Sequence, residues 1–411
     1  MKILPRRTAI VVFLAFAFAY FLSALIRAIT ATLSPTLIQE FDLSASNLGL
    51  LAGGYFLGFA ATQLPLGVWL DRHGPRRVLL CLLTVAALAC VAFSLATSFF
   101  ALLAARVLTG VGVSACLMAP LTGYRRWFKP VTLLRANSWM LMTGSLGMVA
   151  STLPVQWLLP LVGWRMLFLA LALLVLISMG VIAWQIPKWT VATTETGGAS
   201  PGTSAQDSVW KHAYFRKMVP IGFFCYGGLI AIQTLWAAPW MVRVAGYSPA
   251  QAANGLFWIN VAMLCTFWTW GLINPWLTRK GWHADRLIAL GLPISFVLLA
   301  VISLAGARLA PVADVLWALY CVSCTFVALA QPAVGMAFAP ALAGRALSAY
   351  NLVIFAGVFS VQWGIGLAVD GFKALGVPEL QALQWAMGLF LLCCMASYGY
   401  FLAARSHNRS V

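Results

Sequence analysis

The sequence contains few charged residues. Only 9% of its 411 residues are Asp, Glu, Lys or Arg, whereas ordinary soluble domains carry about 25%. Hydrophobic residues make up 62% of the chain, and the mean hydropathy is +0.92. A chain of this composition cannot cover itself with a polar surface in water, so we expect lipid to surround most of it.

Acidic residues are especially scarce. None of the nine lies in the middle of a long apolar run, and the four histidines all lie between such runs. The sequence therefore offers no buried carboxylate or imidazole as an obvious proton carrier, and no counter-ion for a cationic ligand. The nine acids are Glu40, Asp42, Asp71, Glu195, Asp207, Asp285, Asp314, Asp370 and Glu379.

Motifs of catalysis and of metal binding are also missing. The nine cysteines all lie within apolar runs, and Cys321-x-x-Cys324 has neither polar neighbours nor a second pair. We find no nucleophile–base pair and no phosphate loop, and we interpret Gly110-Val111-Gly112 as a helix-packing pair. The sequence thus predicts no enzyme activity, no cofactor and no metal site.

Long apolar runs dominate the chain instead. A membrane-spanning helix needs about 20 apolar residues, and breaks at charges, Pro and Gly divide the sequence into twelve such spans. The predicted spans 1 to 12 cover residues 8–33, 46–69, 78–97, 99–121, 136–160, 165–187, 217–241, 251–276, 287–306, 313–338, 346–369 and 382–404.

The basic residues indicate the orientation of these spans. A net charge of +17 would suggest nucleic-acid binding in a soluble protein, but here the bases lie on alternate connections. With the N-terminus inside, twenty bases fall on inside segments and four on outside segments. The positive-inside rule then predicts two cytoplasmic termini, a lipid environment and no nucleic-acid partner.

A polar linker divides the chain into two halves. Residues 188–215 include TTETGGASPGTSAQDS, which is too poor in apolar residues to form a core. We predict one six-helix bundle in residues 1–187, a cytoplasmic linker in 188–215 and a second bundle in 216–411. Arg135-Ala136-Asn137-Ser138 and Arg345-Ala346-Leu347-Ser348 occupy equivalent places in the two halves, which favours a duplicated unit.

One motif between spans 2 and 3 resembles a known family. The motif Gly67-x-x-x-Asp71-Arg72-x-Gly74-x-Arg76-Arg77 is similar to the signature turn of the major facilitator superfamily, and Arg106-x-x-x-Gly110 in span 4 resembles a second motif of that family. The resemblance implies an all-α fold with twelve transmembrane helices in two pseudo-symmetric bundles. It also implies transport by alternating access, in which the two bundles rock about a central site.

The resemblance assigns roles in gating. It places the carboxylate of Asp71 near the start of span 11, where a helix N-terminus would stabilise it by about 0.3–1 kcal/mol. Asp71 would then hold the bundles together in one state, although a solvated turn that only fixes topology is the alternative. The second half has Thr278 at the matching place. The predicted gating and motif residues are Gly67, Asp71, Arg72, Gly74, Arg76, Arg77, Arg106 and Gly110.

Arg27 is the strongest candidate for a substrate contact. A charge within a span costs about 2.5–3.5 kcal/mol at the membrane centre on insertion scales, and Arg27 lies deep in span 1. A guanidinium offers five donors that suit a carboxylate or a phosphate. The place of Arg27 resembles that of an arginine in family members that carry organic anions. Alternatively, Arg27 extends to the membrane surface or packs against helix-end carbonyls.

Four further residues are predicted to line the substrate site. Gln233 and Thr234 would supply neutral hydrogen-bonding groups from span 7, and Gln331 precedes a proline in span 10. Trp236 would form part of the cavity wall, or of an interfacial aromatic belt.

These observations together predict a secondary transporter for a small organic anion, acting as a monomer in a bacterial inner membrane. A drug or metabolite exporter of the same family is the alternative, and a membrane receptor that does not transport is a third hypothesis.

Overall fold

The computed structural model describes residues 3–187, 189 and 209–404 of the chain. The described residues are almost entirely helical. Predictions for Lys2, for residues 188 and 190–208 of the linker, and for Arg405 and Arg409 lie outside the described residues.

Twelve membrane crossings follow one another in this part of the chain, as the sequence predicts. We keep the labels span 1 to span 12 for them. Span 1 is Arg6–Phe41, spans 2 and 3 form the helix Ala45–Ser94 broken at Gly74, and span 4 is Phe99–Trp127. Spans 5 and 6 are formed by the helices Pro130–Ala150 and Leu153–Gln185, the second of which is broken at Gly163; span 5 runs up to that break and span 6 follows it. Span 7 is Ala213–Arg243, span 8 is Pro249–Arg279, span 9 is Ala284–Ala305, span 10 runs from Ala313–Cys324 through Thr325–Leu329 to Ala330–Met336, span 11 is Pro340–Ala374 and span 12 is Glu379–Ala403.

The boundary between spans 5 and 6 lies at Gly163, between the predicted spans 136–160 and 165–187. Gly163 has a φ of +72°, and the next residue, Trp164, donates to Glu40 near the end of span 1, so the chain reverses at the side where span 1 ends. Span 5 is interrupted after Ala150, where the hydroxyls of Ser151 and Thr152 donate to the carbonyls of Met148 and Val149 at 2.7 and 2.6 Å, and its helix resumes at Leu153. This interruption lies in apolar sequence, so charge and hydropathy do not reveal it.

Glycine residues bring span 4 against spans 2 and 3. A Cβ atom at Gly110 would overlap the carbonyl of Tyr55, one at Gly58 would overlap the carbonyl of Val107, and one at Gly112 would overlap the backbone of Ala86. Small residues at such contacts let transmembrane helices approach closely and gain van der Waals contact. This half of the molecule is therefore tightly packed around span 4.

Spans 7 and 10 depart from regular α-helix near their middles. Span 7 contains the π-helical segments Gly222–Tyr226 and Ile232–Trp236, and span 10 contains the 3-10 segment Thr325–Leu329. π-helical turns widen a helix and 3-10 turns tighten it, and both often mark functional sites or hinges when they lie within a longer helix.

The two sides of the protein are named here by charge. The basic face is the side at which span 1 begins and the Gly67–Arg77 turn lies, and the opposite face is the other side. The two halves meet through spans 1 and 7, spans 2 and 11, and spans 5 and 8.

Candidate functional site

The guanidinium of Arg27 is held by few protein groups. Arg27 lies past the middle of span 1 and is half-buried. Its Nη2 atom lies 3.6 Å from the sulfur of Met148 in span 5, and its Nε atom is buried without a hydrogen-bond partner among the described residues. A thioether sulfur is a weak acceptor, so most of the donor capacity of Arg27 remains unused.

Tyrosines from both halves interact electrostatically with Arg27. The phenols of Tyr55 in span 2 and Tyr226 in span 7 lie within electrostatic range of its guanidinium, and Tyr226 also interacts with Tyr20. Tyr20 is two helical turns from Arg27 on the same face of span 1. Arg27 therefore lies where the two halves meet, among hydroxyl groups that can donate or accept hydrogen bonds.

Arg106 joins span 4 to the backbone that carries Arg27. It is completely buried, and its Nη1 and Nη2 atoms donate to the carbonyls of Ile26 and Arg27 at 2.9 and 3.3 Å. Its guanidinium also lies over the ring of Tyr55, 5.2 Å from the centroid. Arg106, in span 4, thus binds both span 1 and span 2. A movement of the span 1 backbone at Arg27 would therefore change the contacts of span 1 with spans 2 and 4.

Neither arginine forms an ion pair with an acid that the structure describes. The ion pairs recorded there lie at the ends of spans and join Glu40 to Arg165, Lys217 to Asp285 and Arg243 to Glu379. Two cationic groups without a carboxylate partner give the middle of the bundle a positive potential, which favours an anionic ligand.

The other predicted site residues bind neighbouring helices. Gln233 donates to the side chain of Asn260 in span 8 at 2.9 Å. Thr234 accepts from Gln362 of span 11 at 3.0 Å, and the indole of Trp236 donates to the Gln362 carbonyl at 3.0 Å. All three predicted residues are buried, so they would have to exchange these bonds before they could contact a substrate.

Gln331 occupies a different region of the molecule. Its amide donates to Asn351 of span 11 at 2.6 Å, and both side chains are half-buried. Gln331 lies five residues before the end of span 10, towards the basic face. The structure therefore places Gln331 nearer to the basic face than to the middle of the bundle.

A carboxylate joins the two halves at the opposite face. Asp370, near the end of span 11, accepts hydrogen bonds from the backbone N–H groups of Ala45 and Ser46 at 3.2 and 2.8 Å. These are the first N–H groups of span 2, which have no partner within their own helix. The helix dipole favours a negative charge at this position, so Asp370 binds both donors and holds span 11 to span 2.

Spans 2 and 11 also touch along their length below Asp370. Cβ atoms at Gly49 and Gly366 would overlap backbone carbonyls of the partner span. The rings of Phe59 and Phe355 lie 4.5 Å apart between centroids. This contact closes the bundle from the opposite face down to the two phenylalanines.

A second acid at the opposite face bonds within its own half. Asp314, at the start of span 10, accepts a hydrogen bond of 3.2 Å from the hydroxyl of Tyr247. Burial, and then the Asp314 carboxylate, raise the pKa of the Tyr247 phenol, so this hydroxyl remains a donor at neutral pH.

At the basic face, the carboxylate of the signature turn forms no bond with the described residues of the other half. Asp71 is exposed and forms no hydrogen bond or ion pair with the residues that the structure describes, and a Cβ at Gly67 would meet nothing within 4 Å. Spans 2 and 11 thus touch near the opposite face, while their contact at the basic face is open. The predicted bond between Asp71 and the start of span 11 belongs to a different state and stays a prediction.

The remaining residues of the turn pack within the first half. Arg72 and Arg77 are exposed, while Arg76 donates to the carbonyl of Ala183 in span 6. Gly74 adopts a φ of +77°, and the side chain of Trp189 occupies the space that a Cβ at Gly74 would need. Only glycine fits this position, because both the backbone conformation and the close approach exclude a side chain.

The sequence does not reveal three groups of this site. Tyr226 is one of several aromatic residues in an apolar run, and only its electrostatic interaction with Arg27 distinguishes it. Tyr20 can be found from the sequence, because it lies seven residues before Arg27 and therefore on the same helix face. Asp370 lies at the end of an apolar run, but nothing in the sequence links it to Ala45.

The family is decided by a match over most of the chain. The family model described as Major Facilitator Superfamily matches residues 16–361. The chain belongs to the Major Facilitator Superfamily. Its membership confirms the family that the Gly67–Arg77 turn suggests, and it points to a membrane transporter and not to an enzyme.

Two curated relatives are named as transporters, one of sulfoacetate and one of 4-hydroxybenzoate. The protein named "Probable sulfoacetate transporter SauU" of Cupriavidus necator is 24% identical over 57% of this chain and 57% of its own length. The 4-hydroxybenzoate transporter of Pseudomonas aeruginosa is 29% identical over 41% of this chain and 38% of its own length. The matched region thus spans between about two-fifths and just over half of each relative.

Solved structures support the same fold over nearly the whole chain. A bacterial homologue of the human lysosomal transporter Spinster, in an inward-facing and unoccupied conformation, superposes with a TM-score of 0.77. The superposition covers 98% of both chains at 18% identity. The twelve-helix superfamily fold predicted from the sequence is therefore confirmed.

Proposed function

We propose that this protein is a secondary transporter that moves a small organic anion across the membrane by alternating access. The observation that carries the proposal is the guanidinium of Arg27, which lies between the two halves with a buried Nε atom that no described protein group satisfies. A carboxylate or sulfonate can accept two hydrogen bonds from such a guanidinium. The substrates in the names of the curated relatives, sulfoacetate and 4-hydroxybenzoate, carry such groups.

The surroundings of Arg27 suggest how the substrate is held. Tyr55 and Tyr226, one from each half, have hydroxyl groups within electrostatic range of Arg27. An anion bound to Arg27 would contact the second half through Tyr226, so its binding would favour closure of the halves around it. Arg106 would couple that closure to spans 2 and 4 through the backbone of span 1.

The carboxylates at the two ends of spans 2 and 11 fit a gating cycle. Asp370 closes the opposite face in the present state, in which Asp71 is exposed. When the opposite face opens, Asp370 would release span 2, and Asp71 would bind the start of span 11 at the basic face. The two acids would then alternate, each capping the N-terminus of the other's helix in one state.

The proposal includes the orientation of the protein in the membrane and its division into two bundles. The excess of bases on the basic face is typical of a cytoplasmic surface, so the present state is inward-facing and both termini are cytoplasmic. The chain would act as a monomer in a bacterial inner membrane, with bundles in residues 1–187 and 216–411 joined by the linker 188–215.

Ligand-induced thermal stabilisation tests the proposal. Detergent-purified wild type, Arg27→Ala and Arg308→Gln would be heated with sulfoacetate, 4-hydroxybenzoate or the hydrophobic cation tetraphenylphosphonium. A ligand at 100 times its Kd stabilises a protein by about 2.7 kcal/mol. We expect an anion to stabilise wild type and Arg308→Gln, whose arginine is exposed, but not Arg27→Ala. Equal stabilisation of all three proteins by the cation alone would contradict anion transport and favour an exporter of apolar compounds.

A further inference from the structure

An apolar cleft opens on the lipid-facing side of the second half. It has a volume of about 640 Å³ and lies between spans 8 and 9, which both pack against span 10. Ile273, Ile294 and Leu319 line it and are exposed, so its mouth is open on the surface that faces the bilayer. The volume falls within the range of about 300–1,000 Å³ that is typical of small-molecule sites.

The hydroxyl groups in the cleft are already satisfied. Thr266, Thr269, Ser323 and Thr325 each donate to a carbonyl three or four residues earlier in the chain, at 2.6 to 3.0 Å. The indole of Trp270 donates to the Thr325 hydroxyl at 2.9 Å. The side chains therefore present hydrocarbon to the cleft, and a hydrocarbon chain is the occupant that fits this lining.

A cluster of bases stands at the end of the cleft nearest the basic face. Leu277 and Leu287 line that end, and the turn that joins spans 8 and 9 follows Leu277 directly. Three exposed cations lie within two or three residues of these leucines: Arg279, Lys280 and Arg286. We call these three residues the basic turn.

The charges of the basic turn are available to a ligand. Asp285 lies beside them but binds Lys217 and Tyr214, at 2.7 Å in each case, so its charge is engaged on the other side. Lys280 lies over the ring of Trp276 at 4.2 Å, and Arg286 lies over Trp282 at 4.5 Å. Tryptophans paired with bases are typical of the depth at which lipid headgroups lie.

The corresponding helices of the first half approach one another closely. There, Gly110 and Gly112 of span 4 lie in backbone contact with spans 2 and 3. The offset of 210 residues between Arg135 and Arg345 places Tyr320 and Val322 at these positions of span 10, and Val322 lines the cleft. Span 10 thus carries larger side chains where span 4 has glycine.

We propose that the cleft and the basic turn together bind an anionic phospholipid from the leaflet at the basic face. One acyl chain lies in the cleft between spans 8 and 9, and the phosphate lies against Arg279, Lys280 and Arg286. A phosphate accepts several charge-assisted hydrogen bonds from such a cluster, and basic pockets between transmembrane helices are known to bind anionic headgroups. The bound lipid would fill the gap behind span 10.

Lipid binding measured by native mass spectrometry tests this site without any transport assay. Purified protein is titrated with dioleoyl phosphatidylglycerol, with dioleoyl phosphatidylcholine and with inorganic phosphate. We expect phosphatidylglycerol to bind wild type more tightly than phosphatidylcholine, and inorganic phosphate not to compete. The triple variant Arg279→Gln/Lys280→Gln/Arg286→Gln should bind phosphatidylglycerol more weakly by roughly fivefold for each base removed.

Two further variants separate the site from the general surface charge. The triple variant Arg6→Gln/Arg7→Gln/Arg125→Gln removes three exposed bases elsewhere on the basic face and should bind phosphatidylglycerol as wild type does. Val322→Phe fills the cleft and leaves the bases in place, and it should weaken the binding of both lipids. The proposal is overturned if wild type binds the two lipids equally, if both triple variants lose the same affinity, or if Val322→Phe binds lipid as wild type does.

Discussion

Replacement of Asp370 by asparagine should open the opposite face. The carboxylate accepts two hydrogen bonds from N–H groups at the start of span 2. A hydrogen bond to a charged group contributes about 1.5–3 kcal/mol when buried, and a charge at a helix N-terminus contributes about 0.3–1 kcal/mol. The asparagine side chain would keep one acceptor oxygen but turn an amide N–H₂ towards the second donor.

Because Asp370 is only half-buried, we expect the substitution to remove about 1–2 kcal/mol of the free energy that favours the closed opposite face. This corresponds to a factor of roughly 5–30 in the equilibrium constant between the open and closed states. Since the bond exists only while the opposite face is closed, the ratio of open to closed molecules should rise by that factor. Spin labels at Thr97 and Arg308, on exposed loops of the two halves, report this ratio by electron–electron double resonance.

The matched control is Glu379→Gln. It removes a charge at the same face, but its ion pair with Arg243 lies within the second half, so the distance between the labels should not change. The role of Asp370 in closing the opposite face is refuted if Asp370→Asn gives the same distance distribution as wild type, or if Glu379→Gln shifts that distribution equally.

Three other substitutions test the packing and coupling described above. Gly110→Val should lower the melting temperature strongly, because the side chain would overlap the backbone of span 2, whereas Gly67→Val should change it little in the present state; a thermal unfolding scan in detergent distinguishes them. Arg106→Gln should slow flux into proteoliposomes more than tenfold while the Kd for substrate changes less, and an equal loss in both quantities would contradict a coupling role. Glu40→Gln should destabilise the protein by at most about 1 kcal/mol, because the side chains of Glu40 and Arg165 are both partly exposed, and the double variant Glu40→Gln/Arg165→Gln should be destabilised by less than the sum of the two single changes.

Hydropathy predicts the number of crossings because each apolar run must be long enough to span the bilayer. It does not show the interruption of span 5 after Ala150, where a Ser–Thr pair in apolar sequence bonds to its own backbone. The break at Gly74 is predicted as a turn, since charge, glycine and proline coincide there. Span ends that carry a charge are thus predictable from this sequence, whereas interruptions made by local hydrogen bonds within a span are not.

The residues of the candidate site are predictable from the sequence only in part. Arg27 can be recognised because an arginine in an apolar run is costly unless it has a function or a partner. The contact of Asp370 with Ser46 joins residues 324 positions apart and arises only when the two halves meet. Gln233 and Thr234 are predicted as polar groups of span 7, and Trp236 as part of the cavity wall or of an aromatic belt. The sequence does not show that Asn260 and Gln362 occupy their hydrogen-bonding groups.

A counterflow assay tests most directly whether Arg27 holds the transported anion. Proteoliposomes preloaded with unlabelled 4-hydroxybenzoate or sulfoacetate would be exposed to the labelled compound, with wild type, Arg27→Ala or Arg308→Gln in the membrane. We expect the label to accumulate with wild type and Arg308→Gln, and its accumulation to fall at least about tenfold with Arg27→Ala, since one charge-assisted bond is worth about 1.5 kcal/mol or more. Accumulation with Arg27→Ala at the rate of wild type would contradict this role of Arg27.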